Sequence, residues 1–239
     1  ENADSMVFLK RILLLLSLTV AAAHATLPLR PPAGFSQPPQ VAATLKTTFT
    51  CPATPAPFTG PLDFHSKYEG SDSARATLNP EADRAFREGT KQITGLEKRV
   101  VQETTRYQQD GDIRHVACVT GMLNTWADAD ALTGKAVNHT GKSMRKWALA
   151  SISSAWLQLQ YAPTRPLASD PQQAKMIEQW IGKVADLTAQ EWVDLPSERV
   201  NNHSYWASWA MMSSAGVTQR HALFDQSLAI YRTAMSQVD

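Results

Sequence analysis

The chain has 239 residues, 43% of them hydrophobic, and a formal net charge of +1. That length supports one sizeable core without demanding two domains. The near-neutral balance excludes a nucleic-acid binder built on bulk positive charge, so any anion recognition must come from local clusters.

Residues 1–5 precede the first methionine and read as translated upstream sequence. Residues 6–25 follow the pattern of a secretory signal peptide. Met6 starts it, Lys10 and Arg11 are basic, Ile12 to Val20 are apolar, and Ala23-His24-Ala25 fits an A-x-A cleavage site. The apolar run is too short for an ordinary membrane span, so no membrane attachment is expected after cleavage; a non-cleaved anchor is the alternative. Residues 26–60 form a proline-rich arm containing Pro31-Pro32, Pro38-Pro39 and Cys51-Pro52-Ala53-Thr54-Pro55-Ala56-Pro57. Proline removes backbone donors and opposes helix, which predicts an extended path. Export implies an oxidising compartment, and Cys51 and Cys118 are the two cysteines. A disulfide between them would tie the arm to a helix and contribute about 4 kcal/mol in the chain-entropy model. Two free buried cysteines are the alternative, because spacing says nothing of proximity.

Residues 61–239 form the folded domain, helical from Pro80 onward. Pro80 suits a first helical turn, with Glu81 and Asp83 at its positive end. Val116, Val119, Leu123 and Trp126 recur on one helix face. Ala148, Ile152, Ala155 and Leu159 do the same, as do Met176, Ile177, Trp180, Ile181, Val184 and Leu187. Breaks fall at Asp110-Gly111-Asp112, Thr133-Gly134, Tyr161-Ala162-Pro163 and Leu195-Pro196. No credible strand pair and no glycine-rich nucleotide loop is present. Successive helices with short links predict an all-α fold, either an antiparallel bundle or an (α/α) toroid.

Two stretches carry the candidate chemistry: Asn138-His139-Thr140-Gly141-Lys142-Ser143-Met144-Arg145-Lys146-Trp147 and Asn201-Asn202-His203-Ser204-Tyr205-Trp206. Each places an Asn-His pair and a hydroxyl where a helical pattern begins, followed by an aromatic ring. Helix N-termini carry unpaired N–H groups and partial positive charge, so they favour anions. With Lys142, Arg145 and Lys146 alongside, they point to a carboxylated ligand. His203 is the leading catalytic candidate, because the field at a helix N-terminus opposes a positive imidazolium and leaves a neutral ring. Asn202 offers two amide hydrogens to a carboxylate; an Asn cap followed by a packed histidine is the alternative. His139 and Thr140 invite a similar reading, and both stretches also match the N-x-[ST] acceptor pattern. Ser66-Lys67-Tyr68-Glu69-Gly70-Ser71-Asp72 is a polar loop suited to closing over a polyanionic sugar, or an ordinary surface loop. Trp147 and Trp206 suit stacking on sugar rings, while the remaining tryptophans read as core. The histidines lack H-E-x-x-H spacing and the cysteines are too few, so no metal is expected.

At these residues the chain resembles polysaccharide lyase family 5, the bacterial poly(β-D-mannuronate) or alginate lyases. The likeness is carried by the stretch Ser66-Lys67-Tyr68-Glu69-Gly70-Ser71-Asp72-Ser73-Ala74-Arg75-Ala76-Thr77-Leu78-Asn79, by residues 138–149, by Asn201 to Trp206, and by Leu223-Phe224-Asp225 through Gln237-Val238-Asp239. The resemblance implies an incomplete (α/α) toroid with a tunnel-like cleft. It also implies cleavage of mannuronate-rich alginate by β-elimination in the periplasm, without metal or organic cofactor. By the family pattern Asn202 and His203 hold or neutralise the uronate carboxylate, and Ser66, Lys67, His139 and Thr140 bind substrate. Tyr68, Arg145 and Trp206 complete the expected binding set. The implied partners are alginate and an alginate export apparatus. The family pattern continues with a helical segment bearing an arginine and a tyrosine that have no counterpart up to Asp239. The expectation is therefore a fragment lacking its C-terminal helices; a non-catalytic polyuronate-binding helical protein is the alternative.

Overall fold

The computed structural model describes residues 27–40, 47–193, 196 and 200–237; the expected signal peptide at residues 6–25 lies outside them. Side-chain caps set where the helices start. α1 (Pro80–Asp110) begins at Asn79, whose side chain accepts from the amides of Glu81 and Ala82, and stops at Gly111 in a left-handed conformation (φ 72°). α2 (Ile113–Asp128), α3 (His139–Gln160), α4 (Pro171–Trp192) and α5 (Asn202–Thr218) start from Asp112, Asn138, Asp170 and Asn201. Each of those side chains accepts a first-turn amide. α6 (His221–Met235) follows a turn at Gln219. A short 3-10 turn at Pro166–Ser169 links α3 to α4.

The helices form two layers, with α1, α3 and α5 side by side in one and α2, α4 and α6 against them in the other. Within the first layer all three run parallel. From α1 to α3, Glu97 meets Ser151 and Tyr107 meets Thr164 just beyond the helix end; from α3 to α5, Lys146 meets His203, Ser153 meets Ser213 and Gln160 meets Val217. α4 runs the opposite way, pairing Glu191 with Arg145 at one end and Glu178 with Gln160 at the other. Among the described residues there are six α-helices and no strand beyond an isolated bridge between Leu62 and Ala136. The architecture is all-α, an incomplete (α/α) toroid.

α3 is the central helix, packed by α1, α4 and α5. Its residues from Ala148 to Leu159 are buried almost all round, which is the pattern of an interior helix rather than an amphipathic one. Small side chains bring α5 close, and Ser153 Oγ lies 2.6 Å from Ser213 Oγ. Trp126 and Trp156 are fully buried, and the indole N–H groups of Trp126 and Trp180 donate to the carbonyls of Pro55 and Ala131 (2.9 and 2.7 Å).

The proline-rich arm runs extended across the helices. Its lack of donors is matched by its use as an acceptor: the carbonyls of Leu29, Ala53, Pro55 and Phe58 accept from Tyr161, Arg99, Trp126 and Leu132. Cys51 and Cys118 form a disulfide that fastens the arm to α2, with Cα atoms 5.4 Å apart. The arm then crosses the start of α3. A Cβ on Gly141 would lie 2.0 Å from the Leu62 carbonyl oxygen, so only glycine allows that crossing.

Candidate active site

Parallel packing brings the N-termini of α1, α3 and α5 to one end of the molecule, so their partial positive charges add there instead of cancelling. The polar loop joins the same end. Asn138 donates its side-chain amide to Asp63 Oδ1 (2.5 Å) and to the Phe64 carbonyl (3.0 Å), and the Asn79 amide donates to the Lys67 carbonyl (3.1 Å). Ser66, Lys67 and Tyr68 are half-buried in that loop, with Lys67 Nζ 5.2 Å from the centre of the Tyr68 ring.

His139 opens α3 and His203 sits in the first turn of α5; their ring centres are 4.6 Å apart, edge to face. Trp192, the last residue of α4, stacks on His203 at 6.1 Å and meets His139 edge-on at 5.5 Å. Trp147 lies 6.2 Å from His203. Below the histidines is Lys146, fully buried. Its Nζ is 3.1 Å from His203 Nδ1 and 3.4 Å from the centre of the Trp192 ring. Ser143 Oγ is 3.4 Å from the same Nδ1.

Burial and the neighbouring Lys146 and His139 lower His203 to about 4, so its ring is neutral at ordinary pH. Burial also lowers Lys146 to about 7, opposed by the Glu191 carboxylate. His139 is lowered by burial first and then by the charges of Lys146, Lys142 and Arg75. A neutral imidazole beside pooled helix N-termini, with cations around it, suits an anionic group near its free edge.

Asn201, not Asn202, caps α5, accepting from the His203 amide at 2.9 Å. Asn202 is thereby released: it is exposed and its side chain makes no hydrogen bond among the described residues. Thr140 is half-buried in the first turn of α3. Trp206 is 41% exposed and pairs with Trp209 at 5.1 Å, one turn beyond the histidine cluster.

Arg145 departs from the expected substrate-binding role. It is buried on the side of α3 facing α4, ion-paired to Glu191, with Nε donating to the Leu132 carbonyl (3.0 Å) and a terminal nitrogen to the Gly134 carbonyl. Its donors are engaged in holding the turn before α3, so it is a structural residue. Ser143, Lys146 and Trp192 are additions to the expected set. His139, Ser143, Lys146 and Trp147 fall at helical spacing on one face, a signal present in the sequence. Trp192 carried no such signal. Among the described residues no group of three or more His, Cys, Asp or Glu side chains is placed to hold a metal ion. No helix of the described residues is long and apolar enough to cross a membrane.

Comparison with known proteins places the chain in a family. The chain is 46% identical over 227 residues to an alginate lyase of Cobetia marina, a match covering 95% of the chain and 61% of that protein. It is 47% identical over 238 residues to an alginate lyase of Pseudomonas putida strain GB-1, covering 98% and 64%. The chain thus spans about three fifths of the length of these curated relatives. Among solved structures it is similar in fold to alginate lyase A1-III complexed with tetrasaccharide, with a TM-score of 0.68 and 23% identity over 82% of this chain and 53% of that one. Alginate lyase A1-III from Sphingomonas species A1 matches with a TM-score of 0.64 and 22% identity, over 79% and 50%. A model of the family described as alginate lyase matches residues 63–239, and with that extent of agreement the chain belongs to the alginate lyase family.

Proposed function

We propose that this chain carries the carboxylate-recognition part of a lyase site that cleaves mannuronate-rich alginate by β-elimination. The observation that carries the reading is the neutral His203 at the N-terminus of α5, beside His139 and next to the freed amide of Asn202. The alginate lyase relatives support the polymer assignment.

In the reaction a base removes the proton at C5, next to the uronate carboxylate. The electron pair of that C–H bond forms the C4=C5 double bond, the C4–O bond breaks, and the leaving oxygen takes a proton. The difficult step is charge build-up on the carboxylate as C5 loses its proton. Asn202 and the free edge of His203 donate hydrogen bonds to that carboxylate, and the pooled helix N-termini stabilise the added charge. His139, Thr140, Ser66, Lys67 and Tyr68 line the approach, and their loop, with Arg75 and Lys142, attracts the polyanion. The protein works in the periplasm after loss of residues 6–25, where an alginate export apparatus supplies its substrate.

The test follows the ultraviolet absorbance of the conjugated product on mannuronate blocks, guluronate blocks and hyaluronan. Mannuronate blocks are expected to react fastest, and His203→Ala to lower kcat by about 100-fold or more at unchanged melting temperature. Equal turnover by the folded variant removes His203 from the mechanism. Tight polymannuronate binding without product would identify a non-catalytic binder. Fractionation of expressing cells tests the location.

A further inference from the structure

We propose that Lys146 is a positioning residue for His203: its Nζ donates a hydrogen bond to Nδ1 and holds the imidazole as the tautomer with its proton on Nε2. This rests on the reading of His203 as a group that touches the uronate carboxylate.

The geometry separates this role from two others. Lys146 is fully buried beneath His203 and Trp192, so a polymer carboxylate has no path to its ammonium group. A direct substrate contact is therefore excluded by position. A merely space-filling role fits no better. An ammonium at a dry site costs several kcal/mol of desolvation that a methionine would not, and no carboxylate accepts from Lys146 among the described residues. The Glu191 carboxylate supports its charge from beyond ion-pair distance, and its close contacts are π-faces, Trp192 at 3.4 Å and Trp147 at 5.7 Å, and the lone pair of His203 Nδ1 at 3.1 Å.

An ammonium has donors and no lone pair, so a protonated Lys146 requires Nδ1 to be the acceptor. The ring proton then resides on Nε2. That nitrogen has no hydrogen-bond partner among the described residues and is not sealed from solvent. The tautomer decides the sign of the interaction with substrate. With the proton on Nε2 the free edge donates to a carboxylate; with the proton on Nδ1 the same edge presents a lone pair and repels it. The groups that face the ring are Ser143, Lys146 and Trp147 from α3, His139 at its start, and Trp192 with Glu191 behind it from α4. Ser143 serves either tautomer because its hydroxyl both donates and accepts. While it holds its proton, Lys146 is the one of them within hydrogen-bond distance of Nδ1 that can only donate.

The test is imidazole nitrogen NMR on the intact protein, with Lys146→Met and Ser143→Ala for comparison. Between about pH 5 and 6, where the His203 ring is neutral and Lys146 keeps its proton, the wild-type His203 should show a protonated Nε2 and an unprotonated Nδ1, and Ser143→Ala should retain that state. Lys146→Met should give averaged shifts from mixed tautomers and a kcat on alginate about 10–100-fold lower, with little change in KM. A wild-type proton on Nδ1, or a single unchanged tautomer in folded Lys146→Met, overturns the proposal. A second measurement needs no variant: lysine Nζ labelling should show a correlation across the hydrogen bond to Nδ1, and its absence together with a protonated Nδ1 overturns the proposal. The tautomer is read without turnover. A protein that forms the Nε2–H state but cleaves no uronan would therefore sink the proposed function and leave this inference standing.

Discussion

Replacing Arg145 with methionine keeps most of the side-chain volume and removes every polar contact. Three groups lose their donor: the Glu191 carboxylate and the carbonyls of Leu132 and Gly134. Glu191 is only 13% exposed, so its charge is left in a poorly solvated place. Breaking a buried ion pair from one side costs about 3–5 kcal/mol. Leu132 also holds a left-handed φ of 65°, a conformation that costs a branched residue about 1 kcal/mol or more and persists only while its surroundings impose it. At about 2–4 °C per kcal/mol for a domain of this size, the melting temperature should fall by about 10 °C. The loss should depend on pH. Burial already raises Glu191, opposed first by Arg145, and removing the arginine raises it further. A carboxyl with a raised folded-state pKa supports stability while protonated and loses that support as pH climbs through the folded value. The defect should therefore be larger at about pH 8 than at about pH 4.5, and adding Glu191→Gln should recover part of it. Melting curves of the single and double variants, with alginate binding measured in parallel, decide the matter. An unchanged melting temperature with a sharp loss of alginate affinity would refute the structural role and restore Arg145 to the substrate.

Two further stability effects follow from the same structure. Burial pushes Glu97 up to about 7, against the Ser151 hydrogen bond, so this carboxyl supports stability at low pH and loses it as pH rises from about 4 to 7. Glu97→Gln should melt like wild type near pH 4 and be more stable above pH 7, by up to about 3 kcal/mol; parallel curves across that range would show that Glu97 ionises normally. Reducing the Cys51–Cys118 bond, or replacing both residues with alanine, opens a loop of 67 residues and should cost about 4 kcal/mol, read as a drop of about 10 °C in melting temperature. Equal melting of the oxidised and reduced proteins would mean the arm is held by its hydrogen bonds instead.

Helix positions and ends were legible along the chain because capping is local. Asn79-Pro80, Asp110-Gly111-Asp112 and Asn138 act on amides within a few residues of themselves, and they start and stop helices where the sequence pattern says. The place of His203 in the first turn of a helix was legible for the same reason, but its neutral ring comes from burial and from Lys146 and His139, which only the packing of the helices brings to it. Asn202 differed in detail, since either asparagine of the pair suits a cap and only the backbone geometry assigns the cap to Asn201. Which face of a helix meets water was not legible for α3. Its charged run Lys142, Arg145 and Lys146 looks solvated in sequence, yet two of the three residues are buried because helices pack on three sides.

The sequence by itself determined an all-helical chain, its caps, the extended arm and the polar helix starts, because each depends on interactions among near neighbours. Only the tertiary structure decided that Cys51 reaches Cys118, that Arg145 serves Glu191, and that Lys146, Trp192 and His203 converge. Those contacts join residues tens of positions apart through the parallel packing of α1, α3 and α5 and the reversed course of α4. No periodicity along the chain records the relative placement of helices; that is set by how their side chains fill the space between them.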